Sequence, residues 1–284
     1  MATGGTGPGE TTGPVEPIGP GETTGPACGT RAVQPGTVRA GAARARALVP
    51  FVLYALLSAV HVLACFADLP FAGPTKLTLM PALALAAIWA CARAGRPVRA
   101  GALALLLAAI AGSWLGDGAA TFFPMFDDEL PMMLLCFGLA HLAYLLLMWR
   151  GAGIAVRRVP RWAAVYLVAY VALMLVLIPR AGALAVPVAV YGVLLVGTAV
   201  MASRCGPAVA WGGAWFLVSD AILSIRIFLP GTLPAWSDGL VMLTYTLGQG
   251  LLVFGIVAAI ARRDPAPAAA TGPRPPAAGA AAAS

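Results

Sequence analysis

Charged side chains are scarce in this 284-residue chain: they make up 10% of it, whereas 60% of the residues are hydrophobic. A soluble domain has about 25% charged residues, because water must wet its surface. The composition therefore excludes an ordinary soluble protein and indicates that lipid is the surrounding solvent.

Histidine and cysteine are also sparse. The chain has two histidines and five scattered cysteines without C-x-x-C spacing, so neither a disulfide framework nor a zinc knuckle is predicted. The motifs G-x-S-x-G and H-E-x-x-H and a phosphate-binding loop are absent from the sequence, which excludes several familiar hydrolase classes. Two histidines cannot form a three-histidine zinc site. A metal held by His141 and two aspartates stays open as an alternative.

Eight apolar segments are long enough to cross a membrane, which takes about 20 residues each. They cover residues 48–67, 75–92, 100–123, 130–149, 162–178, 183–202, 208–229 and 239–261. Short loops rich in Pro, Gly or charge separate them, so successive helices should be antiparallel. The sequence thus predicts an all-α fold, a polytopic membrane bundle of eight transmembrane helices within residues 48–262.

The basic residues alternate from loop to loop. One side of the predicted membrane holds the clusters Arg39, Arg44, Arg46; Arg93, Arg96, Arg99; Arg150, Arg157, Arg158, Arg161; Arg204; and Arg262, Arg263. The positive-inside rule assigns this side to the cytoplasm, which places both termini there in the cell membrane and requires an even number of spans. Topology thus explains the net charge of +7, and no nucleic-acid partner is predicted.

Both ends of the chain are predicted to be disordered cytoplasmic tails. Residues 1–47 are rich in Gly, Pro and Thr and contain GPGETTGP twice, and residues 263–284 are rich in Ala and Pro. Such compositions bury too little apolar surface to offset the entropy of ordering. The first apolar run begins at Leu48, too late for an ordinary cleaved signal peptide, and is predicted to be a retained helix.

Two aspartates lie inside apolar runs, Asp117 in SWLGDGAATFF and Asp220 in FLVSDAILSIRIF. A charge at the bilayer centre costs about 2.5–3.5 kcal/mol on insertion scales, and intramembrane acids are functional by default. Helices 3 and 7 run in the same direction, and both aspartates fall in the middle or outer half of the membrane. Packing of these two helices near each other could bring the carboxyl groups together in one site.

The remaining polar side chains of the spans fall in the same half of the predicted bundle. Lone hydroxyls and amides there are more often interhelical contacts than functional groups, and a lysine or arginine near a helix end can extend to the surface. Gly112 and Gly116 would let helix 3 approach a neighbour closely. The candidates beside the aspartates are Lys76, His141, Tyr144, Arg226, Tyr245 and Gln249.

Five stretches in this order are similar to the YhhN-like lysoplasmalogenase family: TKLTLMPALALA from Thr75, LGDGAATF around Asp117, FGLAHLAYLLLM from Phe137, SDAILSIRIF from Ser219 and YTLGQGLLV from Tyr245. The resemblance covers roughly residues 48–262. It implies hydrolysis of the vinyl ether bond of lysoplasmalogens to a fatty aldehyde and glycerophosphoethanolamine or glycerophosphocholine. It implies no metal or organic cofactor, and its partners would be a lysophospholipid substrate and membrane lipid.

The implied chemistry suits two acids. Vinyl ether hydrolysis begins with protonation of the alkene carbon farther from the ether oxygen, by an acid that is still protonated near neutral pH. Burial favours that form of a carboxyl group. Asp117 and Asp220 are the expected acid and charge-stabilising carboxylate, in an order left open, with His141 as a third catalytic residue. The expected substrate-binding residues are Lys76, Tyr144, Arg226, Tyr245 and Gln249, of which Lys76 and Arg226 suit the phosphate.

A proton-coupled transporter of an amphiphile is the alternative, because paired intramembrane acids also form proton relays. Against it, the polar residues stop halfway across the predicted bundle and no polar path reaches the arginine-rich side. Transporters also often have two broken helices in corresponding halves, whereas Pro81 and Pro187 lie away from the aspartates.

Overall fold

The computed structural model describes residues 9, 13, 47–94, 97–151, 154–155 and 157–261. The chain divides into two units, residues 1–43 and 44–284, and every helix below belongs to the second. The two predicted tails lie outside the described residues, apart from residues 9, 13 and 47. Their disorder therefore stays a prediction.

Eight long helices make up the described part of the chain, in which no strand occurs. They are α1 (Val52–Phe66), α2 (Ala72–Ala92), α3 (Ala100–Asp117), α4 (Leu130–Arg150), α5 (Ala164–Leu177), α6 (Ala185–Ser203), α7 (Pro207–Phe228) and α8 (Ser237–Ala261). Short 3₁₀ turns extend α1, α5 and α6, so that all eight are long and apolar enough to cross a membrane. The predicted all-α fold with eight transmembrane helices is confirmed.

Two helix boundaries differ from the prediction. Helix α2 begins at Ala72, three positions early, because Pro74 falls in its first turn, where a proline costs no backbone hydrogen bond. Helix α3 ends at Asp117, and Gly118 then leaves the helical conformation before a single turn at Ala119–Phe122. A side chain on Gly118 would collide with the side chains of Leu77 and Phe122. Asp117 is thus the last residue of a helix.

Six helices form a closed ring in the order α2, α3, α4, α6, α7 and α8, with α8 packing back on α2. Outside the ring, α1 packs on α2 and α8, and α5 packs on α6 and α7. Helices α3 and α7, which carry the aspartates, stand at opposite positions of this ring. The aspartates therefore come from opposite sides of the bundle and not from one neighbouring helix pair.

Glycines bring two pairs of ring helices into close contact. A Cβ atom on Gly248 of α8 would lie 2.7 Å from the backbone nitrogen of Phe216 in α7. One on Gly112 of α3 would lie 3.0 Å from the carbonyl oxygen of Cys136 in α4, and Gly116 faces the ring of Phe137. The prediction that Gly112 and Gly116 permit a close helix approach is confirmed.

Eight crossings place the start of α1 and the end of α8 on one side, together with the loops that carry Arg93, Arg150 and Arg204. We call this side the arginine-rich face. Asp117, the last residue of α3, lies toward the opposite face. Asp220 precedes Phe228, the last residue of α7, by eight positions, which is about 12 Å along the helix axis. The two acids therefore occupy different depths.

Candidate active site: two carboxyl groups inside the bundle

The Asp117 side chain is only 3% exposed, and groups from two other helices contact it. Lys76 of α2 brings its Nζ to 3.4 Å from Oδ1, and the Tyr245 hydroxyl of α8 donates to Oδ2 at 2.6 Å. A buried carboxylate is stable only with such partners, since burial removes its hydration. Asp117 therefore has a cation and a hydroxyl donor suited to its ionised form.

Lys76 connects this carboxylate to the end of the bundle opposite the arginine-rich face. One third of its side chain is exposed (33%), in contrast to that of Asp117. The indole N–H of Trp114 in α3 donates to the carbonyl oxygen of Leu77 at 2.9 Å, which fixes α2 against α3. The ammonium group is thus held between a buried carboxylate and the surface of the bundle.

Asp220 lies within α7 and has different partners. The Tyr191 hydroxyl of α6 donates a short hydrogen bond to its Oδ2. Among the described residues, no lysine or arginine forms an ion pair with Asp220. A single neutral donor therefore serves Asp220, whereas Asp117 has a cation as well.

His141 of α4 stands behind Tyr191. Its Nε2 is 3.5 Å from the Tyr191 hydroxyl oxygen, and its Nδ1 is 3.1 Å from the Thr198 hydroxyl oxygen. Because Thr198 donates its own proton to the Leu194 carbonyl oxygen at 2.8 Å, His141 must donate from Nδ1. Its Nε2 then carries no proton, and because Tyr191 gives its own proton to Asp220, His141 contacts Tyr191 without a hydrogen bond between them.

An apolar cavity of about 60 Å³ lies beside Asp220, between α4, α5, α6 and α7. That volume holds a few water-sized groups. Polar side chains in its lining come from Asp220, Tyr191 and Ser224, and the rest is Leu, Met, Val, Ile, Phe and one glycine. The cavity is lined from Asp220 to Phe228 at the end of α7, which lies toward the face opposite the arginine-rich face.

Aromatic rings fill the space between the two carboxyl sites. The ring of Phe216 lies 4.7 Å from that of His141 and 5.5 Å from that of Tyr245, between centroids. Phe137 contacts Phe216 and Tyr245 as well. The rings of Phe216 and Phe137 therefore stand between the partners of the two carboxyl groups, which share no hydrogen bond.

Tyr144 and Gln249, predicted to bind substrate, belong to a fully buried network. Tyr144 donates to Gln249 Oε1 at 2.7 Å, Gln249 Nε2 donates to Ser113 Oγ at 2.8 Å, and Ser113 donates to the Ala109 carbonyl oxygen at 3.0 Å. The network joins α3, α4 and α8, and its Ser113 lies one helical turn from Asp117 in the direction of the arginine-rich face. A direct role of Tyr144 and Gln249 in substrate binding stays a prediction.

Arg226, the predicted phosphate ligand on α7, contacts the start of α8. Its guanidinium donates to Ser237 Oγ and lies 3.6 Å from Asp238 Oδ1. The side chain is 28% exposed and that of Asp238 is 52% exposed, so water weakens the ion pair. Arg226 and Lys76 are therefore two accessible cations near the same end of the bundle.

Sequence reasoning missed Tyr191, Thr198 and Phe216, which organise the surroundings of Asp220. Tyr191 was visible as a lone hydroxyl in the apolar run VPVAVYGVLL, but a mid-span tyrosine is more often a core residue. Within the described ranges, no three His, Cys, Asp or Glu side chains converge as metal ligands.

The fold and its two sites define a polytopic α-helical membrane protein that holds ionisable groups inside its bundle. The chain belongs to the YhhN family, whose model matches residues 71–256. No curated protein and no solved structure matches the chain significantly. The match runs from the start of α2 into α8 and includes both aspartates and every other predicted site residue, which confirms the resemblance over a narrower range than expected.

Proposed function

We propose that this protein is an intramembrane hydrolase of lysoplasmalogens, which cleaves their vinyl ether bond to a fatty aldehyde and glycerophosphoethanolamine or glycerophosphocholine. The observation that carries the proposal is the pair of carboxyl groups inside the bundle, one beside a lysine and one beside an apolar cavity. Membership of the YhhN family supports it. The substrate is an amphiphile whose scissile bond lies just below its headgroup, in the membrane half that contains both acids.

The reaction needs a proton donor, a water molecule and no redox partner. A carboxylic acid gives its proton to the alkene carbon farther from the ether oxygen. The π electrons form the new C–H bond and leave an oxocarbenium ion at the carbon attached to that oxygen. Water adds to the charged carbon and returns a proton to the carboxylate. The resulting hemiacetal transfers its hydroxyl proton to the ether oxygen as that C–O bond breaks, which gives the aldehyde and the alcohol. Carboxyl groups of this kind serve as general acids in many hydrolases.

Lys76 and Arg226 are the proposed ligands of the headgroup phosphate. Both are partly exposed cations at the outer ends of their helices, and charge-assisted hydrogen bonds to phosphate are among the strongest in proteins. Arg226 would leave the exposed Asp238 for the phosphate, whereas Lys76 would keep its contact with Asp117. His141, Tyr245, Tyr144 and Gln249 would hold the reacting groups and the helices around them.

We also propose the cell membrane as the location, with the arginine-rich face and both termini in the cytoplasm. The alternation of arginines between loops supports this orientation. A tag after residue 284 should stay inaccessible to reagents added to intact cells. A tag accessible from outside would overturn the orientation while leaving the hydrolase proposal standing.

The direct experiment offers the detergent-purified protein three lysophospholipids that differ only in the chain linkage: vinyl ether, alkyl ether and acyl ester. We expect aldehyde release from the vinyl ether lipid alone, since the alkyl ether has no alkene to protonate. Cleavage of the ester would indicate an esterase. No product from any of the three lipids would overturn the proposal.

Two further experiments test the alternative functions, a metal-dependent hydrolase and a proton-coupled transporter. Activity should survive EDTA, because protonation of an alkene needs no Lewis acid. Complete loss, with rescue by one divalent ion, would favour a metal held by His141 and the aspartates. In sealed liposomes, movement of a lysolipid coupled to proton flux, without aldehyde, would favour the transporter.

A further inference from the structure

We propose, resting on the proposed function, that the two acids have fixed and different roles: Asp220 is the proton donor and Asp117 is the permanently ionised carboxylate. The three-dimensional structure allows this assignment because the immediate partners of the two groups differ in kind. Tyr191, which the sequence did not single out, is the positioning residue that presents Asp220 to the substrate.

The partners of Asp117 suit a negative charge. The Lys76 ammonium lies 3.4 Å from one oxygen and the Tyr245 hydroxyl donates to the other. An adjacent cation and a hydrogen-bond donor both favour the charged form of a carboxyl group. An acid in this position cannot release a proton at neutral pH, because it does not carry one. Asp117 instead holds Lys76 where a headgroup phosphate can reach it.

The groups around Asp220 suit a neutral acid. Tyr191 faces it from α6, His141 stands behind Tyr191 on α4, and the cavity residues contributed by α5 are apolar. Helix α8 also packs on α7, but it directs Tyr245 against Phe216 and Asp117. Asp220 is thus a partly buried carboxyl group in apolar surroundings, with no lysine or arginine paired to it among the described residues. Such surroundings favour the protonated form of a carboxyl group.

Hydrogen bonding leaves one oxygen of Asp220 available. Tyr191 occupies Oδ2, and Oδ1 makes no hydrogen bond to any described residue. A proton on Oδ1 is therefore free to move to an alkene carbon in the adjacent cavity. After the transfer, the Tyr191 hydroxyl stabilises the new carboxylate until the attacking water returns a proton.

Infrared spectroscopy of the whole protein tests the assignment without any substrate. In a detergent that has no carbonyl group, at neutral pH, we expect a C=O stretching band of a protonated carboxylic acid that shifts in D₂O. Asp220→Asn should abolish this band, and Asp117→Asn should retain it. Absence of the band from the unmodified protein, its loss with Asp117→Asn, or its survival in Asp220→Asn would overturn the proposal.

A second pair of variants keeps the test valid if Asp220→Asn fails to fold. Tyr191→Phe removes the hydrogen bond to Oδ2, so the same band should shift in frequency and turnover should fall about tenfold or more. Tyr170→Phe is the matched control, since the Tyr170 hydroxyl donates only to the Ala189 carbonyl oxygen, at 3.1 Å. It should change neither quantity. A band that does not respond to Tyr191→Phe belongs to another carboxyl group, which would also overturn the assignment.

The two proposals can fail separately. If the protein shows the Asp220 band but releases no aldehyde, the proposed function is wrong and the assignment of the proton to Asp220 stands. If it releases aldehyde but carries the proton on Asp117, the proposed function stands and the assignment is wrong.

Discussion

The first four helices and the last four repeat one packing order. Helix α1 packs on α2 as α5 packs on α6, and α2, α3 and α4 follow one another as α6, α7 and α8 do. Each half carries an aspartate on its third helix, Asp117 or Asp220. In each half the second helix supplies its direct partner, Lys76 or Tyr191. Two equivalent positions of one scaffold therefore hold the two acids.

The two halves of the bundle differ in the side chain that contacts the aspartate. A lysine beside Asp117 stabilises a charge, whereas a tyrosine beside Asp220 stabilises either form of the acid. The fourth helix of the opposite half adds Tyr245 to the first site and His141 to the second. In the proposed mechanism, this difference in one side chain per half separates the roles of two identical acids. Internal repeats also occur in transporters, so the aldehyde assay, and not the repeat, distinguishes the two functions.

The largest expected effect comes from replacing the acids. Asp220→Asn should lower aldehyde turnover by about 10²–10⁴-fold, which is the usual contribution of general acid–base catalysis. Asp117→Asn should also lower it strongly, because Lys76 loses its anchor. The double variant should be little worse than the poorer single variant, since residues that act as a unit are not additive. Aldehyde release by the purified variants measures all three.

Thermal melting of the same variants is the control. In Asp220→Asn stability should stay level or rise, because an ionisable group without a cation has left the membrane interior. Asp117→Asn should cost some stability, because it leaves the partly exposed Lys76 without its counter-ion. Near-normal turnover in either single variant would end the two-acid mechanism. Loss of folding in both would make the aspartates structural.

The next largest effect concerns Lys76 and tests whether Asp117 is ionised. Lys76→Met leaves Asp117 buried without its cation. Its cost in unfolding free energy should lie between the ~1 kcal/mol of a surface pair and the ~3–5 kcal/mol of a buried one, because Lys76 is partly exposed. In an Asp117→Asn background the same change should cost little, since an amide needs no counter-ion. Equal destabilisation in both backgrounds would mean that Asp117 is not ionised.

A smaller effect tests the contact between the two sites. Gly248→Ala should lower stability by about 1–3 kcal/mol, the usual cost of overpacking, because the new methyl group meets the Phe216 backbone. Gly101→Ala is the matched control, since nothing lies within 4 Å of a Cβ there. Its melting temperature should be unchanged or higher. An unaffected Gly248→Ala protein would show that α7 and α8 can separate without cost.

The spans were predictable because lipid demands a long apolar run for each crossing, and α4 to α8 begin and end within two residues of the predicted bounds. The end of helix α3 before Gly118 was not predictable, since a glycine inside an apolar run does not show whether a helix continues. The pairing of Lys76 with Asp117 depends on the ring order of the helices, which the direction of each span leaves open. The sequence therefore identified both acids but not their partners.

Deletion of the N-terminal region is expected to have no effect. Removing residues 1–40 should leave turnover, melting temperature and the difference between Asp117→Asn and Asp220→Asn unchanged, because their composition predicts disorder. The matched control is a deletion through residue 66, which also removes α1. It should destabilise the bundle, since Tyr54 of α1 donates to the Thr246 carbonyl oxygen at 2.7 Å and Phe51 packs edge-on against Phe254 at 5.4 Å. Both truncations are compared by melting and aldehyde release after purification from membranes. A shorter protein that stays inserted and stable but loses activity would show that the N-terminal region takes part in the reaction, and that the two carboxyl sites alone do not suffice for it.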